Sequence, residues 1–415
     1  MNISRIFRGD IKLWVGIFVL MILSLFLSYS TASHHIYTIN NPGSTESILF
    51  KHFVHLLFGL AIIWGVHRMK SKWMWYVAPV SWIVSLFLIL VARMQNIVIG
   101  GADASRWVKV PVIGVSFQPS SLGILSLILY AAWYVSWSQN KPNLSKKVKY
   151  SVIGIPLFVV AGLVGNDNLS TALMMILICM IVLLVGGFPR KDFIKIAGVG
   201  LIFGILGFGL IKAFPDIAPS RFKTWVSRID RFGSSSPDKD TYQVDNAKIA
   251  IAQGEWFGLG PGKSTFKNLL PQASSDFVYA IIVEEYGVVT GIILLLTYIG
   301  VFVRICIIAT RTDKIFSKMM VFGIGFFTIV QTFINSGVAV ELLPTTGQPL
   351  PLVSAGGSFI WITCISLGLV LSVSRENHEL KAKKIKKEKK STNKKVEETN
   401  YHNVPEDNPM SAVVN

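Results

Sequence analysis

The sequence predicts an all-α polytopic membrane protein, with about ten transmembrane helices and a large extracytoplasmic loop between the seventh and the eighth. Three observations carry this prediction. Hydrophobic residues make up 52% of the 415 and charged residues only 15%, a balance too apolar for a soluble chain to hide in one core. The apolar residues fall in runs near the ~20 residues needed to cross a bilayer. Lysine and arginine gather in alternate short connections between those runs, as they do on the cytoplasmic side of membrane proteins.

In chain order, the apolar windows place helices near 11–32, 47–66, 73–92, 118–137, 149–165, 169–188, 193–214, 277–303, 318–339 and 353–374. The first follows Arg5 and Arg8 and resembles a signal peptide in that respect, but it is too long for a usual h-region and further spans follow, so it is read as a retained span. Arg68, Lys70 and Lys72, then Lys141, Lys146, Lys147 and Lys149, then Arg190, Lys191 and Lys195, then Arg311, Lys314 and Lys318 mark one face as cytoplasmic. The connections at 33–46, 166–168 and 340–352 carry neither residue type. Both termini are therefore expected inside, and the loop at 215–276 outside. Residues 1–374 form one membrane domain, and 375–415 a lysine-rich cytoplasmic tail expected to be disordered and drawn to anionic lipid.

A formal charge of +17 would suggest nucleic acid in a soluble protein, but here the cations serve orientation, and nucleic-acid binding is set aside. Cys179, Cys306 and Cys364 lie within apolar runs and show no metal-ligand spacing. The sequence contains no Walker-type phosphate loop. His52 and His55 share a helix face without an accompanying carboxylate and read as structural.

Two outer stretches work against the charge bias. One holds Arg106 and Lys109; the long loop holds Arg221, Lys223, Arg228, Arg231, Lys248, Lys263 and Lys267. The near-helical recurrence of Arg221, Arg228 and Arg231 favours an anionic ligand over an ordinary solvated surface. Between Thr241 and Gly291 the chain adds Gly254, Gly258, Gly260 and Gly262, which allow backbone amides to approach phosphate oxygens closely or serve packing alone. Gln243 and Asn246 suit a sugar hydroxyl or a turn cap. Asp276, at the start of the eighth span, reads equally as a general base and as a helix cap. Glu284 and Glu285 interrupt an apolar span, where carboxylates face a cavity or a structural partner. At about 100° per residue, Glu284 lies about 80° around the helix from Asp276 and is the better placed to share its cavity. The prolines and glycines of NSGVAVELLPTTGQPLPLVSAGGS, 335–358, cannot continue a helix and form a rigid outer cap.

With these motifs assembled, the chain resembles the SEDS family (shape, elongation, division and sporulation), and most closely its division branch, FtsW. The resemblance spans nearly the whole membrane portion. It rests on SYSTAS at 28–33, RW at 106–107, FQPS at 117–120, GLGPGKS, LPQASSDFVYAIIVEEYG and LPTTGQPLPLVSAGGS, with Thr346 favouring the division branch. It implies a ten-helix polymerase that joins lipid II units by β-1,4 bonds and releases undecaprenyl pyrophosphate. The family aspartate falls on Asp276 as catalytic base. Substrate-binding positions fall on Arg106, Trp107, Lys263 or Lys267, Glu284 and Glu285. Arg221, Arg228 and Gln243 add to these from the residue chemistry.

The sequence assigns no cofactor, and a divalent cation at the pyrophosphate is compatible with the chemistry. The resemblance also implies a class B penicillin-binding protein and other division proteins as partners, and a place in the cytoplasmic membrane at the septum. Family residues are replaced at Ser121, Ile124, Asn168, Gln272, Ala355 and Phe359. The rival readings are a lipid II flippase, which would show repeated halves and a midplane site, and a non-catalytic scaffold, which would tolerate loss of Asp276.

Overall fold

The computed structural model describes residues 8–38, 45–95, 98–99, 102–103, 107–109, 116–214, 226, 239–268, 276–354 and 357–402. Among these, seven helices come first: α1 (Ile11–Thr38), α2 (Thr45–His67), α3 (Ser71–Gln95), α4 (Pro119–Gln139), α5 (Lys146–Asp167), α6 (Leu169–Val185) and α7 (Arg190–Ala213). Four more follow: α8 (Lys239–Gln253), α9 (Val278–Thr310), α10 (Ile315–Ala339) and α11 (Gly357–His402). Between α3 and α4 lie two antiparallel pairs of two-residue strands, Val98–Ile99 with Ala102–Asp103 and Val108–Lys109 with Ser116–Phe117.

Ten of these helices match the ten expected spans in order and position. Nine of the described helices are long and apolar enough to cross a bilayer, and α6 is a shorter apolar helix of 17 residues. The chain is a multi-pass membrane protein.

Burial sorts the helices into a centre and a rim. In α4 and α10 72% of the apolar window is buried, and in α11 83%; in α2 and α3 the share is 22%, and in α7 it is 0%. Helices α4, α10 and α11 therefore form the core against which the others lean, while α7 turns its leucines and isoleucines outward on every side. Serine and threonine hydroxyls inside the core return to carbonyls one turn back, as Thr328 does to Ile324 (2.9 Å) and Ser366 to Ile362 (2.9 Å), which keeps them satisfied where water is absent. His52 is buried and hydrogen-bonded to the Ser24 hydroxyl (2.8 Å), and His55 stacks on Trp361. Both histidines are thus structural.

One end of the bundle is stapled by charge. Asp10 accepts from Arg304 across the start of α1 and the body of α9. Glu376 of α11 accepts from the Ser71 backbone N–H (2.6 Å) and hydroxyl (2.5 Å) at the start of α3. The disordered tail expected after residue 374 is corrected here, because α11 runs on as helix to His402. Lysine and glutamate favour the helix, and no glycine or proline interrupts 375–402.

Candidate active site

Helix α9 is broken at Gly287, whose φ of 82° and ψ of 165° lie outside the helical region. A break inside a membrane leaves backbone groups without partners, and each must find one locally. The glycine-rich segment after α8 supplies them. Leu259 N–H donates to the Glu284 carbonyl and Gly260 N–H to the Glu285 carbonyl (both 2.9 Å); Val288 N–H donates to the Glu255 carbonyl (2.9 Å) and Val289 N–H to that of Trp256 (3.3 Å). The backbones lie so close that a Cβ on Gly254, Gly258 or Gly287 would overlap the facing main chain. Gly254, Gly258 and Gly287 therefore serve backbone packing.

The two glutamates lock the same segment. Glu284 is 0% exposed, and its carboxylate accepts from the Ser264 hydroxyl (2.5 Å), the Thr265 N–H (2.7 Å), the Thr265 hydroxyl (3.1 Å) and the Phe266 N–H (3.3 Å). Glu285, 1% exposed, accepts from the Ser264 N–H (3.2 Å). Glu284 and Glu285, both expected to bind substrate, are buried here, and the Glu284 carboxylate is held by the turn before the 3₁₀ segment Phe266–Asn268. Lys267, also expected to bind substrate, is buried, and its Nζ donates to the Gly262 carbonyl (2.7 Å). Lys263, by contrast, is exposed on the surface of the loop.

Asp276 sits in a different environment. It is half-buried, in the turn ahead of α9, whose N-cap position is Phe277 and carries no side-chain cap. The Asp276 carboxylate lies over Gly347, where a Cβ would stand 3.3 Å from Oδ2, and Gly347 holds a φ of 66° that suits glycine. The loop carrying Gly347 is fixed from beneath. Asn335, near the end of α10, donates through Nδ2 to the Asp276 carbonyl (2.9 Å) and the Gln348 carbonyl (2.7 Å). Gln348 Nε2 donates to the Thr171 hydroxyl of α6 (2.8 Å), and Asn168 caps α6 by accepting from the Thr171 N–H (3.1 Å). Beside Asn168, Asp167 pairs with Arg93 (3.5 Å).

Of the remaining expected residues, Trp107 is half-buried beside the Val108–Lys109 strand and Gln243 is half-buried on α8. Arg106, Arg221 and Arg228 lie outside the described residues, as do Gln272 and Ala355. Ser121 and Ile124 are both buried in α4. Helix α8 is tied across the site by Lys248, which bridges Asp245 (2.9 Å) and Glu341 (2.5 Å). The Glu341 hydrogen bond, then that of Asp245, raises the Lys248 pKa above its ordinary value. Sequence reasoning missed Asn335, Gln348 and Thr171. A signal was present in Asn335, a strongly polar amide in an apolar span one turn before the loop. Among the described residues no group of three or more histidines, cysteines, aspartates or glutamates is placed to hold a metal.

Residues 11–379 match the cell cycle protein family FTSW_RODA_SPOVE. The chain belongs to this family. A probable peptidoglycan glycosyltransferase FtsW of Burkholderia thailandensis is 31% identical over 398 residues, covering 91% of this chain and 81% of the relative. The FtsW of Nitrosococcus halophilus, also named a probable peptidoglycan glycosyltransferase, is 28% identical over 340 residues, 80% of this chain and 84% of its own. Among solved structures, a chain from a peptidoglycan synthase complex that coordinates polymerization and crosslinking superposes with a TM-score of 0.69 at 22% identity, covering 89% of this chain and 98% of that one. The rod shape determining protein RodA of Thermus thermophilus gives a TM-score of 0.60 at 21% identity, with 89% and 97% covered. The FtsW/RodA/SpoVE fold is thus present over nearly the whole membrane bundle.

Proposed function

We propose that this FtsW/RodA/SpoVE family member is a peptidoglycan glycosyltransferase that polymerises lipid II, with Asp276 as its general base. The observation that supports this most directly is the contrast among its acids. Asp276 is half-exposed against the Gly347 loop, whereas the carboxylates of Glu284 and Glu285 are sealed inside the protein. An accessible carboxylate on a fixed backbone is what proton abstraction from a sugar hydroxyl requires.

In the proposed reaction Asp276 takes the proton of the acceptor's 4-hydroxyl as the oxygen attacks the anomeric carbon of the donor. The bond from that carbon to the pyrophosphate breaks, its electron pair leaves with undecaprenyl pyrophosphate, and the configuration inverts. The leaving group departs as an anion, so one carboxylate suffices and no protein acid is needed. Lys263, exposed on the clamped loop, is placed to meet negative charge; Arg106, Arg221 and Arg228 are proposed to join it.

The proposal extends to the setting. The chain lies in the cytoplasmic membrane with both termini inside and Asp276 at the outer face, and works at the division septum beside a class B penicillin-binding protein that cross-links the product. The test is polymerisation of purified lipid II by the protein with that partner. Polymer from wild type and none from folded Asp276→Ala is expected; equal polymer from both would overturn the base assignment, and none from either would overturn the enzyme reading.

A further inference from the structure

Asn335 is 1% exposed and lies in the last two turns of α10. Its carboxamide nitrogen has two hydrogens, and it faces two carbonyl oxygens, those of Asp276 and Gln348 (2.9 and 2.7 Å). Both neighbours are acceptors, so the nitrogen rather than the oxygen must point toward them. One side chain thus joins two segments that are 59 and 13 residues away in sequence. They are also the two segments that meet at the carboxylate: Gly347, immediately before Gln348, is the residue over which Asp276 Oδ2 lies. Gln348 is itself buried and anchored to Thr171 of α6 (2.8 Å).

From this geometry we infer that Asn335 is a positioning residue, fixing the Asp276 backbone and the 345–349 loop as one unit so that the carboxylate is held at the angle its reaction needs. The inference rests on Asp276 being the base. It assigns Asn335 no contact with substrate. A group that positions a base acts on the step in which the proton moves, more than on substrate affinity, and a displacement of about 1 Å there is worth on the order of a hundredfold in rate.

The experiment uses the full chain with its transpeptidase partner and purified lipid II, comparing wild type, Asn335→Leu and Thr171→Val, each normalised to folded protein by size-exclusion chromatography. Leucine keeps the volume of Asn335 and removes both donors. We expect kcat to fall 30- to 100-fold in Asn335→Leu with KM within about twofold, and the acid limb of the pH–rate profile to shift as the carboxylate changes neighbours. Thr171→Val, which loosens the loop from its far side, is expected to lower kcat three- to tenfold, and less than multiplicatively in the double variant. It also serves if Asn335→Leu fails to fold. Unchanged kcat and an unshifted acid limb in the folded variants, with Asp276→Ala inactive, would overturn the positioning role alone. An active Asp276→Ala would overturn it together with the base assignment.

Discussion

Two acidic regions lie within nine residues of each other on the same stretch of chain, and they do opposite work. At Glu284 and Glu285 the carboxylates are enclosed, and Glu284 accepts two backbone N–H groups and two hydroxyls from the Ser264–Phe266 turn. At Asp276 the residue is half-buried, Asn335 holds its backbone carbonyl, and the carboxylate lies over Gly347. A carboxylate enclosed among several donors builds architecture; a carboxylate on a partly exposed residue whose main chain is held is the one proposed for chemistry. Charge within an apolar stretch does not by itself distinguish the two cases. Burial does.

The comparison breaks most visibly at Asp276. Asp276→Ala should reduce polymerisation by 10²- to 10⁴-fold, the span expected of a general base, without moving the thermal unfolding midpoint of the purified protein. A matching loss of stability would put Asp276 in the same class as the glutamates. Glu284→Ala should do the reverse first: several donors lose a charged acceptor inside the protein, for a destabilisation on the order of 3 kcal/mol, read as a lower unfolding midpoint and protease sensitivity near residues 258–267. Glu284→Gln, which keeps an acceptor, should fall between.

Smaller effects sharpen the boundary. Gly347→Ala meets both a left-handed backbone conformation, costing about 1–2 kcal/mol, and contact with Asp276 Oδ2. About a tenfold fall in kcat with little change in KM is expected, and wild-type kcat would separate the loop from the site. The smallest effect belongs to Lys248, whose partners Asp245 and Glu341 are part-exposed, so Lys248→Ala should cost at most ~0.5 kcal/mol. Because the folded-state pKa of Lys248 is raised, its contribution is complete below the unfolded value and is lost as pH rises through the folded one. Wild type and variant should therefore converge in stability only above about pH 10.5, measured by thermal unfolding across pH.

What the sequence disclosed follows from the range of the forces involved. The ten spans were legible because apolar length and loop charge are local properties, and all ten matched helices at close to their expected positions. Asp276 was legible through the family resemblance, because by residue chemistry alone it reads equally as a base and as a helix cap. The partners of Glu284 did not stand out, since the turn that it holds lies about 20 residues earlier and nothing in Ser264 or Thr265 announces the pairing. Gly287 looked like one glycine among many, and its break in α9 becomes evident only when the 254–260 backbone is seen filling it. The helical course of residues 375–402 was misread because high charge was weighed above the helix preference of lysine and glutamate.

That last helix sets a length scale for the molecule. At 1.5 Å per residue, the 46 residues of α11 extend for about 69 Å, more than twice the ~30 Å hydrocarbon core of a bilayer. The same rod begins three residues after Ser354, whose hydroxyl accepts from the Leu350 N–H (2.7 Å) in the loop beneath Asp276. Anything that takes hold of the far end has a single helix in hand, whose other end follows the loop that carries Gly347 and Gln348.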